Sequence, residues 1–225
     1  MPLTKDKPKC MIDICGLPVI EWNISTLRKL GFTDKDIIII YGYKGDTIKE
    51  YYSNNDITFI KQDKLTGTSD AVDLVKDYVD ENFIVLAGDT IYFKRHIELL
   101  MIEPNSLLYT SHYKNLSEFG TIEFKDHPTD LYIKEIHEKK SKPIGNKINI
   151  SGYYLNKDIF DYIENTPSTN GERYITSTIN LMIKDKHKFR GIEVRDWNHI
   201  SYTYDVERVQ DNFWRRIRYD GGKFN

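Results

Sequence analysis

Cysteine is scarce in this chain: Cys10 and Cys15 are the only two, and no further ligand pattern around them completes a zinc set. Two isolated thiols of this kind read as buried and free, the state expected of a cytosolic protein. No apolar run approaches the length of a membrane span. The N-terminus lacks the apolar stretch of a secretory signal, so a cytoplasmic location is expected. An excess of one charge is missing as well, with 32 basic against 34 acidic residues and a formal net charge of −2. That balance provides no bulk attraction for nucleic acid or an anionic membrane, and neither is expected as a partner. Any anionic ligand must be held by local groups. There is no internal repeat, low-complexity tract or linker, so residues 1–225 read as one domain. At 40% hydrophobic and 13% aromatic residues, the chain is able to bury one sizeable core. Self-association of identical chains is left open.

The most informative stretch is residues 83–92, Phe-Ile-Val-Leu-Ala-Gly-Asp-Thr-Ile-Tyr. Its first five residues are apolar without alternation, the pattern of a strand buried on both faces of a parallel sheet. The run stops at Gly88 and presents Asp89. Ligands of open α/β sheets bind outside the carboxyl ends of the strands. A carboxylate there is a hard oxygen ligand suited to Mg²⁺, which takes one or two protein carboxylates plus phosphate oxygens. Gly-Asp-Thr also ends strands as a plain turn, and these residues alone leave both readings standing.

Around this stretch the first half alternates helix and strand. Residues 19–30 have helical spacing, with Ile20, Ile24, Leu27 and Leu30 on one side and Gly31 closing the helix. Residues 37–43 contain four successive isoleucines and predict a central strand. A short helix follows at 46–52, a strand at 57–60 and a helix at 69–79. Strand–helix–strand at this spacing predicts parallel strands with right-handed crossovers. The second half changes character. Strands are expected at 106–112, 148–155 and 189–194. Alternation at 121–124 and 132–136 predicts a β-hairpin with its turn at 126–130. Helices are expected at 158–163, 175–183 and 206–217. The predicted fold is α/β: a Rossmann-like, mostly parallel sheet flanked by helices, with a mixed hairpin sheet added over one side. Residues 1–105 form one half and residues 106–225 the other.

Several segments, in order, resemble the sugar-1-phosphate nucleotidylyltransferases. Residues 3–9, Leu-Thr-Lys-Asp-Lys-Pro-Lys, and 16–22, Gly-Leu-Pro-Val-Ile-Glu-Trp, resemble that family's opening. Gln62 with residues 67–72 resembles its base-binding loop, and residues 86–89 its metal strand. Phe119-Gly120, Glu138-Lys139 and residues 151–154 resemble its sugar-site segments. Gly171-Glu172 with Ile175-Thr176, and residues 197–205, resemble its C-terminal segments.

The resemblance implies a nucleotide-diphospho-sugar transferase fold and a reaction of UTP or dTTP with a sugar 1-phosphate, such as glucose 1-phosphate, to yield a nucleotide-sugar and pyrophosphate. It makes the first half nucleotide-binding and the second sugar-phosphate-binding. It assigns Lys9 and Asp89 to catalysis and Mg²⁺ to Asp89, with His199 at the place of the family's second metal ligand. Gln62, Gly67 and Thr68 would bind the nucleotide. Gly120, Glu138, Lys139 and Gly152 would bind the sugar phosphate. Taken alone, Lys9, Gln62 and Lys139 also read as solvated surface residues, and His199 as a structural histidine.

The sequence departs from the family in three ways. The family places a strand and a glycine-rich loop, which cradles the triphosphate with backbone N–H groups, before the segment that starts here at Leu3. His199 stands where an aspartate is usual, and imidazole suits softer metals than Mg²⁺. Asn149 lies one residue early, with Ile150 in its place. From the first departure we expect a natural form with about 20 more N-terminal residues, enough for one strand and one loop, and a 225-residue chain that is unstable or inactive alone. Two other functions stay open: a non-catalytic homologue that binds nucleotide or sugar phosphate, and cytidylyl transfer to a phosphorylated alcohol.

Overall fold

The first helix, Val19–Lys29, ends as Gly31 requires. Gly31 takes φ +97°, its N–H donates to Arg28 O at 3.0 Å, and Phe32 N–H reaches back to Leu27 O at 3.1 Å. These paired bonds satisfy carbonyls that a helix end leaves open. A methyl group added at Gly31 would meet nothing within 4 Å. Gly31→Ala therefore isolates the cost of a left-handed backbone, and is expected to lower stability by about 1–2 kcal/mol. Urea denaturation checks this. A loss below about 0.5 kcal/mol, the range of an unremarkable surface change, would mean that the turn relaxes.

The computed structural model describes residues 7–113, 116–125, 131–138 and 143–219. The chain gathers into two compact units. One comprises Met1–Lys61, Ala87–Ile97 and Trp197–Asn225, the other Gln62–Leu86 and Glu98–Asp196.

In the first unit, Asp13–Ile14 and Leu17–Pro18 form a small antiparallel hairpin that turns through Cys15 and Gly16, both at positive φ. Ile38–Tyr41 pairs in parallel with Thr58–Lys61, the crossover between them containing helix Asp46–Tyr51. Two apolar clusters hold the unit. In one, Ile20, Ile24, Ile37, Ile39, Ile48, Tyr52 and Ile57 join the helical stripe to the isoleucine strand. In the other, Phe213 of the closing helix Thr203–Tyr219 is fully buried with Ile14, Ile91 and Ile200. Its ring meets Trp22 edge-on at 4.7 Å.

In the second unit a six-stranded mixed sheet is built on the long strand Ile148–Asn156. Asn82–Leu86 and Ser106–Thr110 both pair with it antiparallel. Arg190–Glu193 adds in parallel to Ser106–Thr110. The expected hairpin is present, Thr121–Phe124 against Ile133–His137, with its turn outside the described residues. The fold is α/β, with sheets that mix parallel and antiparallel pairing.

The structure corrects three expectations and adds elements that the sequence pattern does not show. Ile38–Tyr41 and Asn82–Leu86 are not buried on both faces: only Ile39 in the first and Phe83 in the second are buried. Among the described residues each pairs along a single edge, which leaves its flanks partly open. The helix expected over 69–79 is shorter, Thr68–Asp73, because the chain tightens into three-residue turns, Val75 N–H to Val72 O and Tyr78 N–H to Val75 O. Cys10 and Cys15 are free but only half-buried. Helix Lys94–Leu100 and the two-residue strands Thr90–Ile91 and Asn198–His199 lack a readable periodicity and were not expected.

Candidate active site

In the first unit the site is built on a two-residue pairing. Asn198–His199 runs antiparallel to Thr90–Ile91, and Ile200 N–H donates to the Asp89 carbonyl at 2.9 Å. His199 is thereby set beside Asp89, with Nδ1 3.7 Å from Asp89 Oδ1. Lys9, in a short turn led by Pro8, reaches the other carboxylate oxygen at 4.0 Å. Asp89 is about one-third exposed, so its carboxylate is open to solvent. Three residues predicted from sequence thus meet at one point.

The neighbours of His199 set what it is able to do. Its Nδ1 lies 3.2 Å from Thr90 Oγ1 and its Nε2 lies 2.6 Å from Ser201 Oγ. Trp197 stacks on the ring at 5.2 Å between centroids. Burial holds the imidazole below its usual pKa, with Asp89 pulling the other way, a balance that favours the neutral ring. Asp205, a further carboxylate in this segment, is committed elsewhere. It is 1% exposed, and its carboxylate accepts from Ser201 N–H, Tyr202 N–H and Arg208 Nη2, each at 2.9 Å. Arg208 Nη2 also donates to the His199 carbonyl at 2.9 Å. Close by, burial and Asp89 push the Cys10 thiol up to about 11, so it stays protonated and unreactive.

In the second unit, Gln62 Nε2 donates to the Gly67 carbonyl at 3.1 Å, closing the loop between them. Gly67 has φ +117°, and a Cβ there would lie 2.2 Å from Arg173 O. Arg173 N–H donates to Thr66 O at 2.8 Å, while Ser69 N–H donates to Arg173 O at 2.9 Å. Arg173 Nε stands 2.6 Å from Asp70 Oδ1, an ion pair whose N–H points off the ideal hydrogen-bond line. The Thr68 hydroxyl accepts from Ile175 N–H at 2.9 Å, satisfying a first-turn donor of helix Ile175–Lys184. Sequence reasoning missed Arg173. The available signal was an arginine between two quoted segments, opposite in charge to Asp70 of the loop.

The predicted sugar-site residues also gather in this unit. A Cβ at Gly120 would stand 3.3 Å from Glu138 Oε1, close enough that the carboxylate would have to give by a few tenths of an ångström. Glu138 accepts a hydrogen bond from the Thr176 hydroxyl. The Gly120 carbonyl accepts from Asn149 N–H at 2.8 Å. Gly152 follows Ser151, itself at φ +58°, in a bulge between Asn149 and Tyr153. Asn149, the displaced asparagine, stands at the start of this bulge. Asn149 Oδ1 accepts from Ser151 N–H at 3.1 Å, and its Nδ2 donates to Tyr153 Oη at 2.6 Å. Its amide therefore locks the strand irregularity. Lys139 lies outside the described residues.

Another group of ligand-type side chains, Glu123, Glu135 and His137, comes within 4.8 Å on the hairpin. There Lys134 Nζ pairs with Glu123 at 2.7 Å. The two ring nitrogens of His137 face different carboxylates, Nε2–Glu123 at 3.1 Å and Nδ1–Glu135 at 3.8 Å.

The chain is similar to several known proteins. The sequence pattern of the family described as "Nucleotidyl transferase" matches residues 1–215. The "Bifunctional protein GlmU" of Methanocaldococcus jannaschii is 35% identical over 222 residues, 97% of this chain and 52% of the relative. The chain spans about half the length of that relative. The "UTP--glucose-1-phosphate uridylyltransferase AglF" of Haloferax volcanii is 26% identical, covering 93% of this chain and 89% of its own. A crystal structure of "UDP-glucose pyrophosphorylase complexed with UDP-glucose" superposes with TM-score 0.81 at 18% identity, over 96% of this chain and 94% of the other, which shows the shared fold.

Proposed function

Because the chain belongs to the nucleotidyl transferase family, we propose that it couples UTP or dTTP to a sugar 1-phosphate, glucose 1-phosphate among them. A phosphate oxygen of the sugar 1-phosphate attacks the α-phosphorus. The bond from that phosphorus to the bridging oxygen breaks, and pyrophosphate leaves. No covalent intermediate with the protein is needed, so positioning and charge neutralisation carry the catalysis. The observation that carries this reading is Lys9 beside a partly exposed Asp89, 4.0 Å apart, within a family match over nearly the whole chain.

On this reading Lys9 meets the phosphates as a point charge. Asp89 would hold Mg²⁺, and its accessible hard oxygens fit that ion. When bound, the ion offsets phosphate charge. His199 already has a hydroxyl at each ring nitrogen. It joins the ligands only by releasing Thr90 or Ser201, and otherwise confines the Asp89 carboxylate. The Gln62 amide offers both a donor and an acceptor to the imide edge of uracil or thymine, with the Gly67–Thr68 backbone beside it. Gly120, Glu138 and Gly152 meet sugar hydroxyls, and Lys139 the sugar phosphate. A related relative is named for UTP and glucose 1-phosphate, which supports the choice of substrates.

Pyrophosphate release from UTP, dTTP, ATP and GTP, each with a panel of hexose 1-phosphates, tests the proposal. UTP or dTTP is expected to exceed both purines by at least about tenfold, the discrimination of one unpaired hydrogen-bonding group. A preference for ATP or GTP would overturn the base assignment. Nucleotide binding with no release from any pair would mark a non-catalytic homologue, the reading that the engaged His199 favours.

A further inference from the structure

We propose that Asn180 is a positioning residue for the sugar-phosphate end of the site. This rests on the reading of Glu138 as the carboxylate that meets the sugar. Strand Ile133–His137 lies at one end of the sheet order and pairs with Thr121–Phe124 on one side. Ile136 stands opposite Ile122. Ile122 N–H is turned outward to Lys147 O at 2.8 Å, so the polar groups of Ile136 also face away from the pair. At the start of the strand the outer edge is satisfied by Phe189, whose carbonyl accepts from Ile133 N–H at 2.8 Å. At Ile136 it is satisfied by a side chain. Asn180 Oδ1 accepts from Ile136 N–H at 2.9 Å, and Asn180 Nδ2 donates to Ile136 O at 2.7 Å. One amide thus replaces a neighbouring strand at a single residue, two positions before Glu138.

The same helix face acts twice. Thr176 and Asn180 are four apart on helix Ile175–Lys184 and share a side of it. Thr176 donates to the Glu138 carboxylate while Asn180 holds the backbone that leads to it. Gly120 leaves the space in which that carboxylate lies. Without the amide clamp, the end of the strand keeps its partner on one edge only, and Glu138 loses its defined approach. Asn180 itself touches no substrate in this assignment. Its effect reaches the sugar through Glu138.

The test compares the unaltered 225-residue chain with Asn180→Leu and Asn180→Ser, measuring KM for glucose 1-phosphate and for UTP separately, with melting temperature as a control. Asn180→Leu is expected to raise the KM for glucose 1-phosphate roughly tenfold, in line with small misplacements of a binding group. KM for UTP should stay within about twofold. Asn180→Ser, which keeps one hydrogen bond, should fall between, and it carries the test if the leucine variant does not fold. Equal changes in both KM values, or an unchanged KM for glucose 1-phosphate, would overturn the inference and leave the proposed function standing. Absence of turnover by the unaltered chain is a failure of the functional reading instead. Calorimetric binding of glucose 1-phosphate to the unaltered and variant chains then decides the role of Asn180: weaker binding to the variant supports it, and equal or absent binding overturns it.

Discussion

Replacing Asp89 by asparagine is expected to lower Mg²⁺-dependent pyrophosphate release by about 10²–10³-fold, the loss typical when one group that stabilises developing charge is removed. The substitution keeps the shape of the side chain and removes its charge. What remains is a neutral amide, a poor match for a cation that favours carboxylates and phosphate oxygens. Lys9, 4.0 Å away, loses its counter-charge at the same time. The fold should be unaffected, because the structural bond at this residue uses the Asp89 backbone carbonyl, which accepts from Ile200 N–H at 2.9 Å. Mg²⁺ titrations of UTP affinity, alongside melting curves, check both halves of the expectation. If UTP affinity in the variant depends on Mg²⁺ as it does in the unaltered chain, Asp89 is not the ligand.

Gly67→Ala is the second large effect. The backbone there has φ +117°, outside the range that a side chain adopts without strain. The added Cβ would lie 2.2 Å from Arg173 O and 2.5 Å from Arg173 N, both backbone atoms that have no rotamer to change. The loop must shift, and with it the Thr66–Arg173 and Ser69–Arg173 bonds and the Gln62 amide that leans on the Gly67 carbonyl. A displacement of about 1 Å in a binding group costs about 10²-fold. UTP affinity is expected to fall by that order, and thermal stability with it. Fluorescence titration with UTP measures the first and calorimetry the second. Near-normal UTP affinity in Gly67→Ala would mean that the loop does not meet the nucleotide.

Much of the local structure was legible because it follows from short-range periodicity and punctuation. The apolar spacing over 19–30 and its stop at Gly31 yielded helix Val19–Lys29. Strict alternation yielded the hairpin of Thr121–Phe124 and Ile133–His137. Burial was less legible. Runs without alternation read as buried on both faces, but a strand's exposure depends on how many neighbours it pairs with, and Ile38–Tyr41 pairs along one edge among the described residues. Residue type could not show this, since isoleucine is the same stiff β-branched side chain in an edge strand and in a central one, and the number of neighbouring strands is set elsewhere in the chain.

The sequence by itself determined the class of the protein and the order of its motifs. Lysine, glutamine with glycine, aspartate and glutamate with glycine follow one another along the chain as in the family, whatever the structure does with them. Only the tertiary structure decided which side chains are consumed in holding others. Thr90 and His199, 109 residues apart, meet because two strands too short to carry any periodicity pair with each other. Thr68 spends its hydroxyl on a helix end 107 residues away. Asn149 spends its amide on a bulge, and Asn180 spends its amide on a strand edge. A polar side chain looks the same in a sequence whether it faces a ligand or a backbone group. The difference lies in which donors and acceptors the fold leaves unpaired beside it, a property of segments far apart in the chain.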